Sequence, residues 1–253
     1  TERSFVVAEA LRRGVTMEHI HEITKIDIWF LKKVQNIVRM EQKIRALGSM
    51  AALDAETMMA AKKMGMADSA IARFVGCKTA DIRMLRARLN VQPAFRMVDT
   101  CGGEFEAVSP YFYSTYGTAT EAKNSGRKTV VVLGSGPIRI GQGIEFDYCS
   151  VHCVWALKRA GFDTVIINNN PETVSTDFDT SDRLYFEPLT PEDVMNVLEI
   201  ERPVGVVCQF GGQTAIKLAK AVREAGYSIL GTDLGDIDAA EDRELFNELL
   251  TRL

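Results

Sequence analysis

The sequence lacks the features of a secreted or membrane-inserted protein. Its five cysteines are an odd number without a CxxC pair, which favours free thiols over a disulfide framework. No apolar run approaches the length of about twenty residues that a membrane-spanning helix needs. Residues 1–14 also have no signal-peptide core. We therefore expect a cytoplasmic protein without a membrane partner.

A strong charge of one sign is also absent. The formal net charge is −4, from 30 basic and 34 acidic residues, and the basic residues are scattered among acids rather than gathered beside aromatic residues. A nucleic-acid-binding surface normally shows a basic patch or stripe. We therefore expect no nucleic-acid partner.

Side chains with metal-ligand spacing are few. Cys149 and Cys153 are four residues apart on a predicted helix with His152 between them. Two thiols and one imidazole make an incomplete site, and small buried helix residues explain the pattern better. The DxDxxD spacing at residues 177–182 lacks the glycine and distal glutamate of a calcium loop. The sequence therefore predicts no metal site.

The pattern from Phe5 to Leu89 has helical periodicity throughout, broken only by short connectors. It predicts a compact all-helical domain. Six apolar residues of this region recur at helical spacing, which we interpret as mainly core, with a partner-binding groove as the alternative. They are Trp29, Phe30, Val34, Ile37, Val38 and Ile44.

After Lys128 the sequence alternates between strand and helix patterns. The strand patterns are TVVVLG, DTVIINNN, RLYFEPL, VGVVCQF and YSILG, and the helices are predicted at Phe146–Ala160, Pro191–Glu201 and Gln213–Ala225. Such alternation predicts a doubly wound, mostly parallel sheet with helices on both faces. We therefore expect a helical domain at 1–117, a linker at 118–127 and an α/β domain at 128–253.

The glycine-rich segment GSGPIRIGQG follows the first of these strands. Gly134, Gly136 and Gly141 have the spacing GxGxxxxG rather than GxGxxG, and no Gly-Lys-Ser/Thr occurs. The next strand ends in residues 168–170, three asparagines, instead of the acidic residue that would bind a ribose hydroxyl. Neither a dinucleotide site nor a nucleotide P-loop is predicted, which argues against a free-standing nucleotide-binding enzyme.

Three unusual loops, GSGPIRIGQG, NNNPETVSTD and QFGGQT, fall at the carboxyl edge of the predicted sheet, where ligands of such sheets bind. Their glycines can face an anion, a cleft or a neighbouring segment, or can serve only tight packing of helix on strand. Arg139 can steer an anion or pair with a nearby carboxylate. The candidate cleft or anion-facing residues are Gly134, Gly136, Arg139, Gly141, Asn170, Gly211, Gly212 and Gln213.

Three segments, GSGPIRIGQGIEFDYCSVH, INNNPETVSTDFDTSDRLYFEPLTPEDV and GVVCQFGGQTAIKLA, closely resemble the large subunit of carbamoyl phosphate synthetase. They match the start of its second, carbamate-phosphorylating half, and KIDIWFL and VDTCGGEF support the same assignment upstream. The resemblance implies a helical oligomerisation domain followed by a Rossmann-like pre-ATP-grasp domain. Since the chain begins without methionine and ends on a helical pattern, we expect a central piece of a longer protein, with the ATP-grasp core beyond Leu253.

The resemblance also implies an activity. The parent is expected to be an ATP-dependent ligase that makes carbamoyl phosphate from bicarbonate, glutamine-derived ammonia and two ATP, with Mg or Mn, for pyrimidine and arginine synthesis. The implied partners are the rest of the large subunit, a glutaminase small subunit and further copies bound through the helical domain. This piece is expected to hold no catalytic residue, to bind no cofactor and to be inactive alone.

One implied role concerns the carbamate tunnel of the family. By resemblance Gly143, Ile144 and Glu145 belong to its wall, where a glycine leaves the bore open. The alternative for the whole chain is a stand-alone protein-interaction module with a passive α/β domain. An exposed apolar face on the first helix, formed by Phe5 and Val6 with Leu11, would favour that alternative.

Overall fold

The computed structural model describes residues 2–138 and 141–252. The chain divides into two compact units, Thr1–Gln92 and Pro93–Leu253, which we call the helical unit and the α/β unit. Within the described part of the chain no helix combines the length and the apolar character that a membrane crossing requires.

The helical unit confirms the predicted all-helical pattern. From residue 2 onwards it forms six α-helices joined by short connectors, and a glycine with positive φ stands shortly after the end of most of these helices. The helices are α1 (Arg3–Arg12), α2 (Met17–Thr24), α3 (Ile28–Ala46), α4 (Ala55–Lys63), α5 (Asp68–Val75) and α6 (Thr79–Arg88).

The core of α1, α2 and α3 uses only some of the apolar residues that the sequence indicates. Leu31 is fully buried and packs with Val38 and with apolar residues of α1 and α2. Trp29, Phe30 and Ile37, by contrast, are exposed, so their interpretation as core is wrong. Leu31 and Val38 are seven residues apart and therefore lie on the same face of α3, whereas the three exposed residues lie off that face.

A buried ion cluster fastens α4, α5 and α6. Asp68 lies at the start of α5 and contacts Lys62 at 3.2 Å and the Nε of Arg86 at 3.1 Å. Lys62 also donates to the carbonyl of Met66 at 2.7 Å, and Arg86 donates to the carbonyl of Val91 at 3.2 Å. All three charged side chains are almost fully buried, so each depends on its partners.

The α/β unit contains a six-stranded sheet with the order β1-β2-β5-β4-β3-β6. Strand β1 is antiparallel to β2, and all other neighbouring pairs are parallel. The strands are β1 (Pro93–Met97), β2 (Tyr111–Tyr116), β3 (Thr129–Leu133), β4 (Asp163–Ile167), β5 (Arg183–Tyr185) and β6 (Gly205–Val207).

Helices cover both faces of this sheet, which confirms the predicted doubly wound fold. Val130 and Val132 of β3 lie on one face, packed with α7, whereas Val131 and Leu133 lie on the other, packed with α8 and α10. The predicted helix at residues 213–225 is divided into α9 and α10, and the YSILG segment forms a single bridge from Ile229 to β6. The helices are α7 (Gly143–Arg159), α8 (Pro191–Glu201), α9 (Gly212–Ile216), α10 (Ala219–Glu224), α11 (Leu234–Glu241) and α12 (Arg243–Arg252).

The division between the units lies after Gln92, whereas the sequence places the end of the helical domain at residue 117. The difference arises because β1 and β2 form a hairpin whose second strand pairs with β5, at Tyr111↔Leu184. The predicted linker at 118–127 is also attached to the hairpin, since the backbone N–H of Glu121 donates to the Phe95 carbonyl at 2.7 Å. No local pattern reveals a strand partner about seventy residues away.

A second buried ion cluster lies where β4 and β5 begin. Arg183 donates to both carboxylate oxygens of Glu201, each at 2.8 Å, and to Asp163 at 3.3 Å. The hydroxyl of Tyr185 donates to Glu201 at 2.5 Å, and Arg127 forms an ion pair with Asp163. Burial raises the pKa of Tyr185, and the neighbouring Glu201 charge raises it further, so the phenol stays protonated. The cluster ties the end of α8 to two strands.

Candidate functional site

Three loops meet at the carboxyl edge of the sheet, as the sequence predicts. We call them together the loop cluster: residues 134–138 and 141–142 after β3, residues 168–177 after β4, and residues 208–211 after β6. Because β3 lies between β4 and β6 and all three are parallel, their ends are adjacent.

Asn168 joins the first two loops. Its side chain is fully buried, and its Oδ1 accepts hydrogen bonds from the backbone N–H of Gly136 at 3.0 Å and of Asn170 at 3.3 Å. Its Nδ2 donates to the hydroxyl of Ser175 at 3.5 Å. An uncharged amide can both donate and accept here without placing a charge in the interior. The asparagine that replaces the ribose-binding acid of dinucleotide sites is therefore a structural hub.

The glycines of the loop cluster allow close packing. A Cβ on Gly134 would lie 2.6 Å from Cγ of Asn168, and a Cβ on Gly211 would lie 2.4 Å from the carbonyl oxygen of Gly134. Gly136 and Gly212 have φ values of 65° and 64°, which residues with side chains rarely adopt. This geometry supports packing for Gly134 and Gly211; an anion-facing role for them stays a prediction.

Of the remaining candidates, Gly141 and Gln213 are exposed and Asn170 is half-buried. Gly141 is exposed with φ of 96°, and a Cβ at this position would have no atom within 4 Å. Asn170 accepts a hydrogen bond from the backbone N–H of Glu172 at 3.1 Å, and Gln213 donates to the carboxylate of Glu241 at 3.0 Å. Arg139 lies outside the described residues.

A groove of about 480 Å³ runs along the outer face of α7. Gly143 and Ile144 line it, whereas Glu145 is exposed and lies outside the lining. The assignment of these three residues to a tunnel wall stays a prediction. Ile144 is 83% exposed, so its side chain has little protein around it. The other lining residues are Asp147, Tyr148, Val151, His152, Trp155, Glu172, Thr173 and Val174.

Three rings form the floor of this groove. The ring centroids of Tyr148 and His152 are 4.1 Å apart, and those of His152 and Trp155 are 5.2 Å apart. Sequence reasoning considered His152 only as a metal ligand and missed the two aromatic neighbours. The spacing of the three residues in the sequence indicates that their rings are neighbours, because residues at i, i+4 and i+7 share one face of a helix.

The second loop is fastened to α7 beside the groove. The backbone N–H of Ser175 donates to both carboxylate oxygens of Asp147, at 3.3 and 3.2 Å, and both residues are buried. The short 3-10 turn Val174–Thr176 is thereby held against the helix. One wall of the groove, formed by residues 172–174, is therefore rigidly attached to the helix that forms its floor.

Two thiols of this unit, those of Cys153 and Cys208, are poorly suited to nucleophilic chemistry. Burial raises the pKa of Cys153, and it raises the pKa of Cys208 to about 12. A thiol that stays protonated is neither a good nucleophile nor a ready metal ligand. Among residues 2–138 and 141–252, no group of three or more His, Cys, Asp or Glu side chains is placed to hold a metal ion.

Glu187 is a buried carboxyl group at the end of β5. Its two oxygens accept hydrogen bonds from the backbone N–H and, at 2.9 Å, from the hydroxyl of Ser114 in β2. Burial raises its pKa to about 7, the hydrogen bonds from Ser114 oppose this rise, and the charge of Asp193 adds to it. Glu187 thus extends the short β2–β5 pairing with a group that titrates near neutral pH.

This titration predicts a pH-dependent stability. Between pH 4.5 and about 7 the folded protein retains a proton that the unfolded chain has released, so stability falls as the pH rises through this window and levels off above it. The loss is expected to be up to about 3 kcal/mol. It can be measured by urea unfolding from pH 5 to 8 in a Trp29→Phe background, where Trp155 alone reports on the α/β unit. The Glu187→Gln variant should lose this part of the pH dependence, and an unchanged slope would contradict the assignment.

The loop cluster and the groove therefore have different chemical characters. The loop cluster is packed and mostly uncharged, and the groove is open and largely apolar, with the carboxyl groups of Asp147 and Glu172 on its lining. Neither contains, in its described residues, an arrangement of nucleophile, base and oxyanion donors.

Two family models match the chain. The model for the oligomerisation domain of the carbamoyl-phosphate synthetase large chain matches residues 1–90. The model for the carbamoyl phosphate synthase preATP-grasp domain matches residues 126–239. The two matches correspond to the helical unit and to most of the α/β unit.

Curated relatives match along the whole chain. The carbamoyl phosphate synthase large chain of Agathobacter rectalis is 54% identical over 251 residues, which cover 99% of this chain and 23% of that protein. The large chain of Clostridium botulinum is 57% identical over 252 residues, which cover 100% of this chain and 24% of that protein. The chain thus spans about a quarter of the length of these relatives.

Proposed function

Because this chain belongs to the family of carbamoyl phosphate synthase large chains, we propose that it serves such an enzyme as scaffold rather than as catalyst. In this proposal the helical unit supports assembly, and the α/β unit contributes part of the carbamate tunnel and of the active-site cleft wall. The residues of this chain alone are expected to show no ligase activity.

The parent reaction is proposed to be that of the family. Carbamoyl phosphate would be made in the cytoplasm from bicarbonate, glutamine-derived ammonia and two ATP, for pyrimidine and arginine synthesis. Nucleotide and Mg²⁺ or Mn²⁺ would be held by the rest of the large chain, and ammonia would come from a glutaminase small subunit. The relatives are about four times as long as this chain, which leaves room for those parts elsewhere.

The observation that carries the tunnel role is the position of Gly143 and Ile144. Both line the α7 groove, opposite the wall formed by residues 172–174. A passage for a labile intermediate needs an apolar lining and a clear bore, and a glycine on the lining leaves space that any side chain would fill. Asp147 and Glu172 are the acidic residues on the same lining.

The observation that supports the assembly role is apolar surface on the helical unit. Phe5 and Val6 are exposed on α1, whereas Leu11, expected on the same face, is buried. Exposed apolar residues that lie close together often mark a contact with another protein. The same observation supports the stand-alone interaction module, but that alternative gives no account of the groove along α7.

The tunnel role can be tested with Gly143→Leu in the full-length large chain assembled with its small subunit. The fold should tolerate this change, because a Cβ at Gly143 would meet only Cδ1 of Ile138, at 3.4 Å. The added side chain should narrow the groove. We expect carbamoyl phosphate formation to fall at least about tenfold relative to ATP hydrolysis, equivalent to about 1.4 kcal/mol.

The matched control is Gly235→Leu, because Gly235 lies in α11 with no atom within 4 Å of its Cβ position. Both variants are assayed for bicarbonate-dependent ATP hydrolysis and for carbamoyl phosphate. Normal coupling in the Gly143→Leu enzyme would remove the case for a tunnel at this groove. Equal loss in both variants would point to a general disturbance instead.

A further inference from the structure

Asp147 is a buried carboxyl group on the lining of the α7 groove. It lies four residues after Gly143, so the two positions share one face of α7. Both of its oxygens accept a hydrogen bond from a single main-chain group, the N–H of Ser175. Burying a carboxyl group is unfavourable unless hydrogen bonds compensate it. The contact between Asp147 and the second loop is therefore a built feature of the groove.

The 3-10 turn in the second loop has hydrogen bonds of its own. The hydroxyl of Thr176 donates to the carbonyl of Thr173 at 2.7 Å. The hydroxyl of Thr180 donates to the carbonyl of Val174 at 2.9 Å. These bonds lie within the segment that follows β4 and define the shape of the turn. The contact with Asp147 adds a different property, because it fixes the position of the turn against α7.

A second and weaker contact ties the same turn to the first loop. The hydroxyl of Ser175 accepts a hydrogen bond from Nδ2 of Asn168 at 3.5 Å, and Oδ1 of Asn168 accepts one from the backbone N–H of Gly136 at 3.0 Å. A hydrogen bond of 3.5 Å between uncharged groups is weaker than one to a carboxylate. Asp147 therefore provides the stronger of these two contacts of Ser175.

We propose that Asp147 is a positioning residue for the carbamate tunnel: it holds the wall formed by residues 172–174 at a fixed distance from Gly143 and so sets the width of the bore. The inference rests on the proposed tunnel role of the groove and names the residue that keeps its wall in place. Asp147 acts through the main chain of that wall. Once released from α7, the wall would let the labile intermediate escape into water.

The test begins with Asp147→Ala and Asp147→Asn in the full-length large chain assembled with its small subunit. The alanine variant has no acceptor for the Ser175 N–H. We expect the carbamoyl phosphate formed per ATP hydrolysed to fall at least about tenfold, in keeping with the loss of hydrogen bonds to a charged group. The asparagine variant keeps one acceptor oxygen at the same place and should restore most of this ratio. The control is Asp238→Ala, at an exposed position of α11, which should keep the ratio of the unaltered enzyme.

Asp147→Glu separates the position of the wall from the charge of the carboxylate. Glutamate keeps both oxygens and the charge, but its side chain is longer by one methylene group and must displace the turn. We expect Asp147→Glu to lower the ratio and Asp147→Asn to preserve it. The opposite order would show that the charge matters rather than the position, and would overturn the inference. This comparison does not depend on the alanine variant being stable enough to assemble.

The outcomes also separate this inference from the tunnel role itself. If Asp147 only stabilised the fold, Asp147→Ala would lower the amount of active enzyme but leave the ratio unchanged. That result, together with a lowered ratio in Gly143→Leu, would overturn the inference alone. Unchanged ratios in both variants would overturn the tunnel role and the inference with it.

A second measurement follows the wall directly. Hydrogen exchange of residues 172–177 in the assembled enzyme should be faster in Asp147→Ala than in the unaltered enzyme and in Asp238→Ala, because the Ser175 N–H has lost its acceptor. A lowered ratio without faster exchange in this segment would mean that the wall has not moved. The inference would then be wrong, whatever the cause of the lost coupling.

Discussion

Replacing Glu201 with alanine should lower the free energy of unfolding of the α/β unit by about 3 to 5 kcal/mol, the usual effect of breaking a buried ion pair. Glu201 is 1% exposed and is the partner of both Arg183 and Tyr185. Burial alone would lower the pKa of Arg183, but the hydrogen bonds and charge of Glu201 raise it above its ordinary value. Without Glu201 the guanidinium would remain charged and buried, with Asp163 as its remaining carboxylate partner.

The measurement is urea unfolding in the Trp29→Phe background, followed by the fluorescence of Trp155. Glu224→Ala is the control, since Glu224 is an exposed glutamate near the end of α10 and should change stability by less than about 0.5 kcal/mol. Glu201→Gln keeps the shape of the side chain and should give an intermediate loss. If the Glu201→Ala protein is as stable as the control, water or a shifted Asp163 must replace the lost carboxylate partner of the Arg183 guanidinium.

The parts of the fold that follow from local patterns could be predicted. Helix α8 spans Pro191–Glu201 as expected, because Pro191 stands at its first position and the hydroxyl of Thr190 caps it. The strands β3 and β4 are buried on both faces and are rich in β-branched residues. Such signals are contained within one element and its ends.

The parts that depend on distant partners could not be predicted. The hairpin β1–β2 joins the sheet because β2 pairs with β5, which comes much later in the sequence. Residues 93–116 therefore show no clear pattern by themselves. Likewise, the apolar spacing of α3 does not distinguish Leu31, which faces α1 and α2, from the exposed Trp29 and Phe30. The pattern indicates a helix but not which apolar residues meet a neighbour.

The candidate site shows the same limit. Its position at the carboxyl edge of the sheet follows from the parallel arrangement of the strands, which the alternation of strand and helix patterns predicts. The hub formed by Asn168 does not, because it depends on a hydrogen bond to Gly136 on a separate loop. The rings of Tyr148 and Trp155 were visible at helical spacing, but only the exposed face of α7 identifies them as the floor of a groove.

Gly211→Ala should lower the free energy of unfolding of the α/β unit by about 3 kcal/mol or more, because the added methyl group overpacks a site closed by backbone. Its Cβ would lie 2.4 Å from the carbonyl oxygen of Gly134 and 2.6 Å from that of Leu133. No rotamer change can relieve a clash with main-chain atoms. Either the end of β3 or the start of α9 must move, which would also disturb the contact between Gly134 and Asn168.

The matched control is Gly235→Ala, where the same methyl group enters open space inside α11 and should stabilise the helix by up to about 1 kcal/mol. Both variants are compared by urea unfolding in the Trp29→Phe background. If Gly211→Ala is as stable as its parent, the end of β3 can move away from α9 at little cost. The glycine would then be needed for a ligand or a neighbouring segment rather than for packing. That result would favour the prediction that the loop cluster faces an anion.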